Sequence, residues 1–294
     1  MKTDNLPKVA VLLAAYNGVQ WIEEQVDSIL NQQGVAVTLF FSVDLSTDGT
    51  DQWVKTLAGK HSDVVMLPYG ERFGGAGPNF FRLIRDVDFS GFDAVSFADQ
   101  DDIWFSDKLL RSCTLLQGGQ CDVYSSNVTA FWPDGKQVLI DKAQPQKQFD
   151  YFFEAAGPGC TYVFNIDAAS AFKRFLIGLG ERIQAVSLHD WLAYAFCRHN
   201  GFKWYIDPAP SMHYRQHANN QVGTNTGFSA YKKRIGLVSK HWYRNQVDLI
   251  LSLVAPAQLR NLNRYFFRLC NFRAMRRRPR DAFVLLAMFV LGVY

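Results

Sequence analysis

Residues 8–15, Lys8-Val9-Ala10-Val11-Leu12-Leu13-Ala14-Ala15, are almost continuously apolar, and Tyr16-Asn17-Gly18 breaks the run. A strand with one solvated face alternates polar and apolar residues, so an unbroken run predicts a strand buried on both faces of a parallel sheet. From Trp21 to Leu30 the apolar positions Ile22, Val26, Ile29 and Leu30 recur at helical spacing, with Glu23, Glu24 and Asp27 opposite. Residues 35–43 return to strand, a helix carrying Trp53, Val54 and Leu57 follows, and residues 64–67 form a third strand. This alternation predicts a doubly wound, mostly parallel α/β sheet with right-handed crossovers.

Further along, the pattern predicts a helix over 79–87, a strand over 93–98 and a helix opening at Ser106-Asp107-Lys108. It then predicts one strand over 121–131 and a turn at Pro133-Asp134-Gly135. Residues 157–165 read as a loop entering a strand, 167–176 as a helix capped by Asp167, and 187–196 as a helix. A strand over 202–206 ends at Asp207-Pro208-Ala209-Pro210, and residues 212–220 read as a donor-rich loop.

The candidate chemistry lies where these strands end. Asp44 precedes the turn Ser46-Thr47-Asp48, whose own residues are ordinary helix caps. A carboxylate at that position can accept the N–H of a pyrimidine base, and such a contact discriminates against analogues that lack the donor. Asp99-Gln100-Asp101-Asp102 closes the apolar strand over 93–98, and the C-terminal edge of such a sheet is where ligands bind. Neighbouring carboxylates repel and lose hydration, which a divalent cation offsets; oxygen ligands favour Mg2+ or Mn2+. The plainer alternative is a solvated acidic turn capping the next helix. Gly70 to Asn79 holds four glycines but neither a Walker loop nor GxGxxG. Asp190 opens a helix, where the helix dipole favours a carboxylate whether or not it does chemistry. In the donor-rich loop, His213 and His217 are each able to complete a metal site, and Arg215 suits a bidentate phosphate contact.

Composition narrows these options. At 294 residues, with 48% hydrophobic and 15% aromatic residues, the chain carries enough apolar material for one large core or two modest ones. Five scattered cysteines without CxxC spacing argue for reduced thiols in a cytoplasmic setting, and residues 1–8 show no secretion signal. The net charge of +4 hides an asymmetry: residues 231–281 hold 13 Lys/Arg against 2 Asp, leaving an acidic body. Such a tail suits a membrane surface, nucleic acid or an acidic partner. Arg260, Arg264 and Arg268 fall at i, i+4, i+8, and Arg276-Arg277-Arg278-Pro279-Arg280 precedes an apolar stretch over 282–294. That stretch makes about 20 Å of helix against a hydrocarbon core of roughly 30 Å, which fits a surface-lying anchor better than a span. The alternative is a helical subdomain packed on the body or on a second subunit.

Six ordered stretches together resemble a family 2 glycosyltransferase of the GT-A fold, in the rhamnosyltransferase branch of bacterial surface polysaccharide synthesis. They are Ala15-Tyr16-Asn17-Gly18, Asp44-Leu45-Ser46-Thr47-Asp48-Gly49-Thr50, Asp99-Gln100-Asp101-Asp102-Ile103-Trp104, Gly159-Cys160-Thr161, His189-Asp190-Trp191 and Tyr214-Arg215-Gln216-His217-Ala218-Asn219-Asn220. Val43 departs from the family's usual Asp-Asp-Gly-Ser-Thr-Asp pattern, and Arg72 stands where an Asn often precedes the glycines. The resemblance implies a GT-A domain over 1–227, with a nucleotide-sugar half to about 130 and an acceptor half beyond, followed by a basic helical extension over 228–294. It implies Ala14, Tyr16 and Asp44 at the base and ribose, Asp101 on the metal, Asp99 on metal and sugar or ribose, and Asp190 as general base. Arg215 would help hold the departing diphosphate and His217 would complete the Mg2+ or Mn2+ site. The implied reaction is inverting transfer of L-rhamnose from dTDP-rhamnose, or of a hexose from a UDP-sugar, to a lipid-linked saccharide. The setting would be the inner face of the cell membrane, as a monomer or an oligomer. A basic-tailed nucleic-acid binder and a non-catalytic scaffold are the readings from other classes; both leave Asp99, Asp101 and Asp190 idle.

Overall fold

A computed structural model describes residues 6–217, 241–292 and 294. The first strand, β1 (Lys8–Ala15), lies between β2 (Ala36–Val43) and β4 (Ala94–Ala98), parallel to both. With β3 (Val64–Met66), β6 (Val123–Ser126), β9 (Val163–Asn165) and β10 (Trp204–Asp207) they form a seven-stranded sheet in the order β10-β6-β9-β4-β1-β2-β3. Only β9 is antiparallel to its neighbours. The sequence runs outward from β1 through β2 to β3 and then returns to the other side of β1 with β4, so the order reverses between β1 and β4.

The unbroken apolar run of β1 follows from its two buried faces. Ala10 and Leu12 enter one core cluster, while Val9, Val11, Leu13 and Ala15 enter the other. Helices α1 (Ile22–Leu30), α2 (Thr50–Ala58) and α4 (Lys108–Gln117) cover the second cluster. The first cluster is aromatic and lies under α3 (Ala76–Asp86), α5 (Asp150–Phe153), α6 (Ile166–Leu179) and α7 (His189–His199). Fully burying each of Phe80, Phe97, Phe164 and Phe172 contributes about 1.5–3 kcal/mol.

Several elements differ from the sequence pattern. The single strand expected over 121–131 is two strands, because Asn127 turns the chain between them. The Asn127 side chain donates to Asp141 and to the Pro208 carbonyl and accepts the Lys142 N–H. Past it, β7 (Val128–Phe131) joins a second sheet, β5-β11-β7-β8, with β5 (Ile103–Trp104), β8 (Gln137–Ile140) and β11 (Met212–Arg215). The start of the donor-rich loop is therefore a strand; pairing with β5 and β7 overrides its polar composition. Helix α3 begins three residues early because Pro78 is tolerated in a first turn. Asn165, not Asp167, caps α6, accepting the Ala168 N–H at 2.8 Å.

The C-terminal region forms α8 (Trp242–Val254), α9 (Pro256–Leu262), α10 (Tyr265–Asn271) and α11 (Pro279–Val290). A break between α9 and α10 puts Arg260 on one helix and Arg268, with Arg264 as the residue that caps its start, on the next, so the three do not lie along one helix; the Arg260 side chain lies outside the description. Arg268 is buried, donating to the Leu262 carbonyl and to Asn263. Val247, Ile250, Leu251, Leu285 and Phe289 join the aromatic cluster of the body, so the extension and the body share one core. The expected boundary at 227/228 falls outside the described residues, as do Ala218, Asn219 and Asn220. Among the described residues no helix is long and apolar enough to cross a membrane.

Candidate active site

Three adjoining parallel strands end at one edge, and each delivers a predicted residue there: Tyr16 just past β1, Asp44 past β2 and Asp99 past β4. Ala14 lies near the end of β1, half-buried and in register with Ser42, and Tyr16 is half exposed. Asp44 is buried and holds the glycine-rich loop. Its Oδ1 accepts the Leu45 and Phe73 N–H groups at 2.8 and 3.0 Å, and its Oδ2 accepts the Gly74 N–H at 2.8 Å. Three backbone donors thus already converge on the carboxylate assigned to the base.

The acid turn sends its carboxylates in different directions. Asp101 Oδ2 meets His217 Nε2 at 2.7 Å, and the His217 ring is stacked on Trp21 with centroids 4.1 Å apart. Asp102 is fully buried, and its Oδ1 accepts the Arg215 N–H at 3.1 Å. Arg215 Nε donates to the Asp101 carbonyl at 2.8 Å, and its guanidinium reaches Glu24. The residue expected on phosphate is thus engaged by α1 and by the acid turn. His213 lies edge-on to the rings of Phe105 and Phe131, so of the two loop histidines it is His217 that reaches the acid turn.

Ligand atoms of Asp99, Asp102 and Cys160 lie within 4.8 Å of one another. Lys108 is buried beside them, its Nζ donating to the Cys160 carbonyl at 2.7 Å and lying 3.0 Å from the centroid of the Trp104 ring. Burial, then repulsion from Asp101, pushes the Asp99 carboxyl up to about 7. Burial and the same neighbours raise Asp102, and burial lowers the Lys108 ammonium. The acids are under-compensated, and Asp102 Oδ2 has no hydrogen-bond partner among the described residues. Of the residues expected on the cation, Asp101 and His217 meet through one hydrogen bond, whereas Asp99 groups with Asp102 and Cys160 rather than with them; carboxylate and imidazole donors are of the kinds that suit Mg2+ or Mn2+. The ligand groups this structure gathers among the described residues are Asp99, Asp102 and Cys160, with Lys108 Nζ beside them.

Asp190 occupies the first turn of α7 and accepts its neighbour Trp191's N–H at 2.8 Å. Burial pushes its carboxyl up to about 6, with the Lys142 ammonium opposing. The turn Gly159–Thr161 lies against it: a Cβ at Gly159 would stand 2.8 Å from His189 Nε2 and 3.0 Å from Asp190 Cβ. Cys160, the next residue, belongs to the Asp99 cluster, so one turn carries the acid turn on one side and Asp190 on the other. His189 is a packing residue, stacked on Phe80 at 3.9 Å and pushed down to about 3 by burial, hence neutral. Sequence reasoning missed Lys108, Lys142, Trp21 and Glu24. Only Lys108 carried a signal, a cation a few residues beyond three acids, and nothing in the pattern marked it as buried.

Carboxylates gathered at the switch point of a parallel sheet, facing a further carboxylate across a short turn, make up the GT-A arrangement, and the chain belongs to glycosyltransferase family 2. Residues 7–142 match the family model described as Glycosyltransferase like family 2. Over 290 residues the chain is 44% identical to the dTDP-rhamnosyl transferase RfbG of Shigella flexneri, covering 96% of this chain and 100% of that protein. Among solved structures, residues 1–349 of S. aureus TarS superpose with a TM-score of 0.59 at 15% identity, covering 97% of this chain and 92% of that one. The mannosyltransferase PcManGT of Pyrobaculum calidifontis, solved with GDP-Man and Mn2+, gives 0.53 at 18%, covering 99% and 82%. At those identities the structural likeness speaks for the fold. The protein is a glycosyltransferase.

Proposed function

We propose that the protein transfers L-rhamnose from dTDP-rhamnose, with inversion, to a hydroxyl of a lipid-linked saccharide in surface polysaccharide synthesis. The observation that carries the donor is the 44% identity, over nearly the whole chain, to a dTDP-rhamnosyl transferase. In this reading Ala14, Tyr16 and Asp44 line the base and ribose, while Asp99, Asp101 and His217 hold the cation. That cation supplies positive charge to the diphosphate as it leaves. Asp190 accepts the proton of the acceptor hydroxyl as its oxygen bonds to the anomeric carbon; the bond from that carbon to the diphosphate oxygen breaks, and dTDP departs. With a carboxyl at about 6, Asp190 is mostly ionised at pH 7 yet basic enough for this task. Arg215 would reach the diphosphate by exchanging Glu24.

Attachment to the inner membrane face belongs to the same reading, through a different surface from the arginine run. Arg276 and Arg277 point into the protein, toward the Phe153 carbonyl and toward Asp150 with Glu154, and the partly exposed Arg278 pairs with Asp141 at the surface. The lipid-facing candidate is the outer side of α11, where Phe283, Val284, Val290 and Leu291 are each more than half exposed. Arg280 at its start is exposed, and the Arg273 guanidinium lies 5.7 Å from the Phe283 ring centre.

The test is a transfer assay with dTDP-rhamnose, UDP-glucose, UDP-galactose and UDP-N-acetylglucosamine, each with Mn2+ and with EDTA. Preference for dTDP-rhamnose, lost in EDTA, is expected; turnover of a UDP-hexose alone would replace the donor, and full activity in EDTA would remove the cation. Asp190→Asn is expected to keep donor affinity within about threefold while kcat falls ~10²–10⁴-fold.

A further inference from the structure

Gln100 stands between the two acids Asp99 and Asp101, yet its side chain turns toward β1. Its Oε1 accepts the Tyr16 N–H at 2.8 Å and its Nε2 donates to the Tyr16 carbonyl at 2.8 Å. One amide therefore satisfies both backbone groups of one residue, as a neighbouring strand does in a hydrogen-bonded pair. The amide also fills the space above Gly18, where a Cβ would lie 2.2 Å from Gln100 Oε1 and 2.3 Å from its Cδ. The rest of this loop is tied elsewhere: the N–H groups of Asn17, Gly18 and Val19 reach Ser46, Thr50 and Asp48, all beyond β2. Tyr16 is the residue of the loop that is fastened to the acid turn.

We propose that Gln100 is a positioning residue for the donor nucleotide, tying Tyr16 on the base side to the turn that carries Asp99 and Asp101. The inference rests on the reading above in which Tyr16 lines the nucleotide site. The chemistry asks for this residue type. Glutamate would keep the acceptor but set an oxygen against the Tyr16 carbonyl and add a third charge between two acids. Asparagine is one methylene short. Methionine keeps the volume and loses both hydrogen bonds.

The experiment measures dTDP and UDP affinity by titration calorimetry at saturating Mn2+ for the wild type, Q100M, Y16A and the double variant. Q100M is expected to bind about tenfold more weakly. In transfer assays its donor KM should rise by a similar factor, with kcat within about threefold. Because Gln100 acts through Tyr16, the double variant should bind within about twofold of Y16A alone. Losses that multiply, or a Q100M affinity equal to wild type, overturn the proposal, and a purely structural role would lower the melting temperature without producing the non-additivity. If Q100M does not fold, G18A tests the same tie by displacing the amide; it should weaken binding about tenfold and again add nothing to Y16A. A wild type that binds neither nucleotide removes the nucleotide-site reading itself, and the tie with it. A wild type that binds while the variants match it removes the tie alone.

Discussion

Asp190 and Lys142 lean on the same three residues of chain. Lys142 packs against Gly157, 3.4 Å from where a Cβ would stand, and Asp190 packs against Gly159 in the same way. The ammonium favours the charged carboxylate, partly offsetting the burial that holds Asp190 at about 6. Glu154, Arg276, Arg277 and Arg278 are the other charges acting on Lys142, and Asp99 feels Asp190 from the donor side. On the proposed reading Asp190 is the base and must be ionised to accept a proton, so kcat/KM at saturating Mn2+ is expected to fall as pH drops through about 6. Removing the cation raises the carboxyl further. Lys142→Met should therefore move this acid limb to higher pH by a few tenths of a unit or more, read from the pH profile. An unmoved limb would separate Lys142 from Asp190.

At the scale of the element, α11 has two apolar sides. Ala282, Leu285 and Phe289 are buried, while Phe283, Val284, Val290 and Leu291 face outward. Placing charge on the outer side, as in Phe283→Glu with Leu291→Glu, is expected to abolish co-flotation with anionic vesicles at unchanged melting temperature and unchanged activity on soluble acceptors. Retained flotation would remove this face from membrane binding. Elements with one dominant periodicity were legible in the sequence: β1, α1 and β2 lie within a residue or two of where the pattern sets them, and α2 contains the Trp53, Val54 and Leu57 that signalled it. What was not legible depended on partners far along the chain. Asn127 breaks an apolar run because Asp141, Lys142 and Pro208 meet it, and residues 212–215 extend because β5 and β7 lie alongside. The same limit held at the site: motif residues named Asp99, Asp101 and Asp190, but the inward turn of Asp102, the buried Lys108 and the Glu24 contact of Arg215 arise only in three dimensions.

Across the molecule, the body and the extension are locked by buried charge as well as by the common core. Arg277 is enclosed, 3.3 Å from Asp150 and 3.5 Å from Glu154, and donates to the Ala155 carbonyl at 2.7 Å. Asp150 has its other cation in Arg198 at 3.4 Å. Breaking a buried pair by removing one partner costs about 3–5 kcal/mol, because it strands the remaining charge. Arg277→Met is expected to destabilise the protein by roughly that amount, lowering the melting temperature on the order of 10 °C, measured by urea and thermal unfolding. A loss of under about 1 kcal/mol would mean that Asp150 is neutral or already compensated.

This enclosed arginine bears on how such enzymes can be recombined. A chimera that grafts the last helices of another transferase onto this sheet would have to import matching acids and a matching aromatic floor, or leave Asp150 and Glu154 facing a void. Specificity is therefore easier to re-engineer by editing loops in place than by exchanging the C-terminal segment wholesale.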